Sequence, residues 1–147
     1  MGEHAQRLSR VYTNPEVLSF ILLCRARGAP AWSRDIARRG AVFTHAGNCY
    51  RGGITYSAAL KRYLWCQVLP HSAHAQGPRF QGGFGLYDAP EPWGPWTTAF
   101  YAKDWDVGPG ESSSLPTKWM SADGKAARLV FSGDDSFSVR AATIELR

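Results

Sequence analysis

The chain has 147 residues, 44% hydrophobic, 13% aromatic and 20% charged, with 15 glycines, 9 prolines and a formal net charge of +5. That length suits one domain with a real core, and the aromatic, glycine and proline content fits a turn-rich β protein rather than a helical bundle or a disordered chain. No apolar run approaches the roughly 20 residues of a membrane span, and none has the charged start and small-residue cleavage site of a signal peptide. Eight arginines face only Glu3, Glu16 and Asp35 over residues 1–53, whereas nine basic residues balance nine acidic ones from 54 to 147. No basic stripe interleaved with aromatics and no nucleic-acid motif follows, so nucleic acid is not an expected partner, and neither is a membrane. Cys24, Cys49 and Cys66 are odd in number and lack metal-ligand spacing, which points to isolated buried thiols.

Residues 1–13 carry no clear pattern. The segment "NPEVLSFILLCRARG" then has Asn14 as an N-cap, Pro15 at the first helical position, Glu16 in the first turn and Gly28 as its stop, which predicts a short helix. Its apolar residues run almost unbroken, so it needs cover from elsewhere. "GAPAWSRDIARRGAVF" reads as a turn and a short extended stretch ending at Phe43.

From Cys49 the pattern changes to strands and turns. "CYRGGITYS" (49–57) and "YLWCQVLP" (63–70) form a hairpin across "AALKR", and "FGLYDA" (84–89) and "WTTAFYA" (96–102) complete an antiparallel four-stranded meander. Between the last two strands lies "APEPWGPW". Pro90, Pro92 and Pro95 cannot donate to a ladder and turn the chain toward an outermost strand, with Trp93 and Trp96 expected to cover the sheet edge or, alternatively, to offer a sugar-stacking platform. After "KDWDVGPGESSSLP", strands are expected at 117–122, 127–132 and 137–146, joined by the turns "DGK" and "GDDS". The chain ends where a fourth strand would belong. Two such units in succession suggest propeller blades, the last one incomplete.

The order "CYRGGITYSAALKRYLW", "GGFGLYDAPEPWGPWTTAFY" and "PTKWMSADGKAARLVFSGDDSFSVRAATIEL" resembles the C-terminal blades of five-bladed β-propellers related to glycoside hydrolases, including bacterial domains of hydrolase-like type. The likeness covers about 28–147, with blades at about 49–102 and 116–147 and a poorly defined N-terminal segment at 1–27. "GAPAWSRD" is similar to the stretch that precedes those blades, and "SADGK" is similar to the Asp-box turn of sialidases but lacks its downstream tryptophan. The resemblance implies an all-β fold of about two antiparallel four-stranded blades behind the short N-terminal helix. It also implies a fragment, from a truncated or frame-shifted gene, in which the first 27 residues pack poorly. Full-length relatives of this kind are expected to be secreted or periplasmic, which leaves the localisation of this chain open.

In such propellers the catalytic carboxylates come chiefly from earlier blades, so the resemblance implies a glycoside hydrolase-like parent and an inactive chain here. A glycosidase needs two carboxylates flanking the scissile bond. Asp123, Asp134 and Asp135 sit in turns, Asp88 precedes the proline corner, and Asp104 and Asp106 flank Trp105 in a polar loop, so no catalytic pair stands out. The substrate-binding candidates are Tyr50 and Arg51 on the first inner strand and Lys118 and Trp119 on the second, because aromatic faces and fork-shaped or cationic donors suit sugars. Packing between blades is the alternative for Tyr50 and Trp119, and pairing with a loop acid the alternative for Arg51. Gly52 and Gly53 fit a strand closely approached by another backbone or by a ligand.

His71 and His74 lack a third ligand at recognisable spacing, so no metal is expected, and no cofactor motif is present. Arg79 and Gln81 share their loop and are weaker candidates for the funnel mouth. Ser132 lacks the setting of a nucleophile elbow. The functional expectation is a carbohydrate-active propeller portion that supplies walls of a substrate funnel. The alternative is a non-enzymatic carbohydrate-binding or interaction module that self-associates through exposed blade faces.

Overall fold

In the computed structural model of the chain the described residues are 23–26, 29–32, 35, 37, 40–43, 52–71, 80–133 and 136–145. They fall in two compact units, Met1–Val42 and Phe43–Arg147. In the first, β1 (Leu23–Ala26) pairs antiparallel with β2 (Ala29–Trp32), Leu23 opposite Trp32 and Ala26 opposite Ala29. The helix expected over 14–28 is therefore not shown. Residues 14–22, 27 and 28 lie outside the described residues, and Leu23–Ala26 is a strand. The physical reason lies in the pattern, because an unbroken apolar run lacks the 3.6-residue period that separates a helix from a buried strand. Two residues ending in glycine, Arg27-Gly28, also separate the strands, a length that suits a hairpin.

The second unit is built from two antiparallel sheets. β3 (Gly52–Ser57), β4 (Arg62–Pro70), β5 (Gly82–Ala89) and β6 (Thr97–Ala102) are hydrogen-bonded in chain order, as the alternation and turns of the sequence led us to expect. Ser57 opposes Arg62 across the tight turn, where the Leu60 amide donates to Ser57 Oγ at 3.4 Å and Lys61 takes a left-handed φ of 53°. At the far side of the sheet the pairing of β5 with β6 shifts between Leu86 and Tyr87, leaving Ala99 as an extra residue. A bulge of this kind twists an edge strand and disfavours pairing with another chain.

The second sheet has three strands in the order β7 (Ser113–Ser114), β8 (Ala126–Phe131) and β9 (Ser138–Thr143). The hairpin β8–β9 lies close to the expected strands at 127–132 and 137–146. The strand expected at 117–122 is corrected: the partner of β8 is Ser113–Ser114, and Thr117–Trp119 forms a 3-10 turn. Pro116, which follows the buried Leu115, has no amide proton to continue the ladder.

The core lies between the two sheets. Leu64, Cys66 and Val68 alternate along β4 toward β8, whose Ala127, Leu129 and Phe131 alternate toward them. Phe84 of β5 meets Phe131 edge to face with centroids 4.9 Å apart, and Leu86 and Leu129 pack against both halves of the core. Burying each such side chain contributes about 1.5–3 kcal/mol. The sheets approach closely because Gly53 has no side chain: a Cβ there would lie 2.9 Å from the Ser113 carbonyl oxygen. At Gly52 a Cβ would collide with the backbone of Cys66, so the close approach at this glycine pair is by backbone. Burial pushes the Cys66 thiol up to about 11, against a smaller opposite pull from the nearby Ser113 hydroxyl. Cys66 is free and buried, as expected of an isolated thiol.

The other face of the four-stranded sheet is aromatic. Trp65 of β4 packs against Phe43 and Trp96, with centroids 5.4 and 5.2 Å away, and Phe43 also stacks at 4.6 Å on Tyr87, which is fully buried. Trp96 thus covers the face of an interior strand and not the sheet edge. The proline corner explains how it returns there. Glu91–Gly94 is a turn closed by the Gly94 amide to the Glu91 carbonyl at 2.9 Å, with Pro92 and Gly94 at the positions these residues favour. Arg62 pairs with Asp88, its Nε 2.7 Å from the carboxylate, and Thr97 Oγ1 donates to the same carboxylate, so Asp88 fastens both ends of the corner to the sheet. Trp105 stands edge to face on Phe84 at 5.3 Å and closes the end of the core. Among the described residues no helix is long and apolar enough to cross a membrane.

The Phe84–Phe131 contact should dominate stability. Phe131→Ala is expected to cost roughly 3–5 kcal/mol, read from urea unfolding, because it leaves a cavity between two sheets that cannot both relax. A loss under about 1 kcal/mol would show that the sheets do not share a core.

Candidate functional site

The site grows out of a mismatch in strand length. The ladder between β7 and β8 sets Ser114 opposite Val130. Continued in register it would set Lys118 opposite Ala126, yet it is Ser121 whose amide donates to the Ala126 carbonyl, at 2.8 Å. Three residues are in excess, and the chain has to bow off the sheet. The 3-10 turn Thr117–Trp119 takes up the excess, held by the Trp119 amide to the Pro116 carbonyl at 3.0 Å and the Met120 amide to the Thr117 carbonyl at 3.1 Å. None of the three residues in the turn is buried.

The far end of the bow is fixed by "SADGK". Ser121 Oγ donates to Asp123 Oδ1 and accepts from the Ala126 amide at 2.9 Å, while the Lys125 amide donates to the same carboxylate oxygen at 3.0 Å. The Ser121 hydroxyl first, then the Lys125 amide, hold the Asp123 carboxyl below its ordinary value of 3.8. Gly124 has a φ of +73° and lies against Leu60 and Ser57, so the turn rests on the hairpin of the other sheet. A side chain there would face both the strained backbone and Leu60. Asp123 is thus a turn-forming residue.

Between the bow and the sheet lies an open concavity of about 500 Å³, lined by Trp119, Met120, Ser121, Ala126, Arg128 and Val139 together with Ala127. Ala126 and Arg128 point away from the core, since they alternate with Ala127 and Leu129, so the concavity is on the outer face of the three-stranded sheet. The Trp119 side is 43% exposed, and the Lys118 ammonium stands over its ring, 5.1 Å from the centroid. A cation over an indole face contributes about 0.5–1 kcal/mol at an exposed site. An aromatic plate, a fixed cation, a guanidinium and apolar walls can bind a flat, hydroxylated or charged molecule. Among the described residues the lining holds no carboxylate, and its one hydroxyl, that of Ser121, is bonded to Asp123 in the turn.

Two of the four substrate-binding candidates, Lys118 and Trp119, come together here, whereas Tyr50 and Arg51 lie outside the described residues. Arg79, His74, Asp134 and Asp135 also lie outside them. His71 Nε2 is 3.5 Å from Asp104, and Asp106 pairs with Arg140 at 2.7 Å, so the acids flanking Trp105 tie its loop to β4 and β9. Ser132 accepts from the Glu111 amide at 2.9 Å, a structural role. Arg128 and Val139 were not among the expected site residues. Their signal was available in "ARLVFS" and "SVRAAT", where alternation turns one side chain in two outward. Against protein-family models, curated proteins and solved structures, the chain gives no match.

The Asp123 bonds fix a direction of pH dependence. A carboxyl whose folded value is depressed contributes stability above its unfolded value and loses it as pH falls through the folded one. The wild-type protein should therefore be more stable than Asp123→Asn at pH 7, with the gap closing as the pH is taken below 3.8. Thermal unfolding at stepped pH measures it, and a gap constant down to about pH 2 would contradict the assignment.

Proposed function

We propose that the chain is a carbohydrate-binding portion of a β-propeller and that it holds a saccharide in the concavity under Trp119 without cleaving it. The observation that carries the proposal is the exposed Trp119 indole, with the Lys118 ammonium 5.1 Å from its ring centroid, in the lining of an open, partly apolar hollow. Sugars present a C–H face that packs on an aromatic plate and a ring of hydroxyls that accept from Lys and Arg donors. A hollow of about 500 Å³ falls within the roughly 300–1,000 Å³ of small-molecule sites. The four-stranded meander followed by a three-stranded antiparallel sheet supports reading the two sheets as blades, the second lacking a strand. In a glycoside hydrolase-like parent the two carboxylates that cleave a glycosidic bond would come from elsewhere, because the lining of this hollow has none among the described residues.

A second reading, self-association through exposed faces, is favoured by the outer strands. β6 is exposed along its length with Phe100 and Tyr101 more than two-fifths accessible, while Val139 of β9 is 48% and Phe137 beside it 80% exposed. Apolar side chains on edge strands are the usual ground for sheet-to-sheet pairing.

Trp119→Ala distinguishes the two readings. Under the first, titration of the protein with a panel of neutral and acidic oligosaccharides gives saturable binding that weakens by tenfold or more in the variant, a loss of about 1.4 kcal/mol or greater. No saccharide binding by the wild-type protein, or binding unchanged in the variant, contradicts it. Since Trp119 lies on an exposed turn, the substitution is expected to leave unfolding within about 0.5 kcal/mol of wild type.

A further inference from the structure

We infer that the saccharide taken by the Trp119 hollow is an acidic one, bearing a carboxylate or a sulfate; this rests on the carbohydrate-binding reading and names its substrate class. Among the described residues Arg128 is the one charged side chain in the lining, and Lys118 stands on the ring of Trp119, itself a lining residue. Neither is in an ion pair with an acid among the described residues, where Arg62 pairs with Asp88 and Arg140 with Asp106. Asp123 accepts through one carboxylate oxygen from the Ser121 hydroxyl and the Lys125 amide, and the charge of Lys125 acts on it as well. Arg128 in the lining and Lys118 on the Trp119 ring thus have no counterion among the described residues.

The geometry suits an acid better than a neutral sugar. The Lys118 ammonium over the indole is modestly favoured, which biases it toward the Trp119 ring where a ligand anion could meet it. Arg128 projects from the middle of β8, a paired strand, and a guanidinium presents two parallel donors that match a carboxylate or sulfate face on. The remaining lining of Met120, Ser121, Ala126, Ala127 and Val139 is mostly apolar wall, and the Ser121 hydroxyl is already bonded to Asp123, so a neutral sugar would leave much of its polar edge unmatched. An acid places its charge between the cations and its C–H face on Trp119.

Isothermal titration of the full chain with trigalacturonate, with its fully methyl-esterified form and with a chondroitin sulfate tetrasaccharide tests this directly. The ester has the same shape without the charge. The expected result is binding of one or both acidic probes at least tenfold tighter than the ester, weakening as salt is raised to about 0.5 M, where charge interactions are screened within a few ångströms. Arg128→Gln should narrow the acid-to-ester ratio about tenfold, the value of one charge-assisted pair. Which acidic probe binds decides between carboxylate and sulfate. If ester and acid bind equally, the acidic preference is wrong while the carbohydrate reading stands. If citrate and inorganic sulfate bind as tightly as the acidic sugars, the hollow is a plain anion site and the inference is overturned. If no saccharide binds, the carbohydrate reading falls and the inference with it.

Discussion

The contact on which the second unit depends is the edge-to-face meeting of Phe84 and Phe131 at 4.9 Å, one ring from each sheet. Neither sheet buries its apolar face without the other: a lone three-stranded sheet with Ala127, Leu129 and Phe131 on one side has nothing else to cover them. Around this pair the chain places Val68 and Cys66 below and Trp105 across the end, and the glycine at 53 lets β7 come close enough to close the other half of the core over Leu115. The core thereby fixes the position of β8. Everything on the outer face of β8, including Arg128, inherits that position.

The hollow follows from the fixed strand and an inflexible count. With Ser114 bound to one end of β8 and Ser121 to the other, three surplus residues must leave the plane of the sheet, and they carry Lys118 and Trp119 with them. Pro116 sets where the departure begins, and the Ser121–Asp123–Lys125 turn sets where it ends. Because that turn leans on Leu60 through Gly124, the bow is anchored to the four-stranded sheet as well as to its own. A rigid frame holding an exposed aromatic on a short irregular segment is a common way for function to sit on a β scaffold.

Much of this was legible in the residues, for reasons that differ by element. The meander from Gly52 to Ala102 could be read because its strands are bounded by "AALK" and the proline corner, and the β8–β9 hairpin because "GDDS" separates two β-rich runs. The segment Leu23–Ala26 was misread because unbroken apolar residues have no period. "TKWMSA" was misread because short alternation outweighed the proline before it, and the real partner, Ser113–Ser114, is two small residues with no strand signal at all. Trp119 and Lys118 stand out in the sequence as an aromatic beside a cation, but the grouping of Trp119 with Arg128 and Val139 depends on the register excess, which exists only once the pairing partner is known. Trp96 was placed at an edge because the sequence shows the corner but not the return of the indole onto Trp65.

The central claim is that the outer hollow under Trp119, and not the aromatic face around Trp65, is where the chain meets a saccharide. Amide and indole proton–nitrogen correlation spectra, recorded while a soluble oligosaccharide is titrated into the protein, test it most directly. The account predicts shifts at the Trp119 indole and at the amides of Ser121, Arg128 and Val139, with Trp65 and Trp96 unmoved. Shifts centred on Trp65, Trp96 and Tyr87, or none at saturating saccharide, would contradict it.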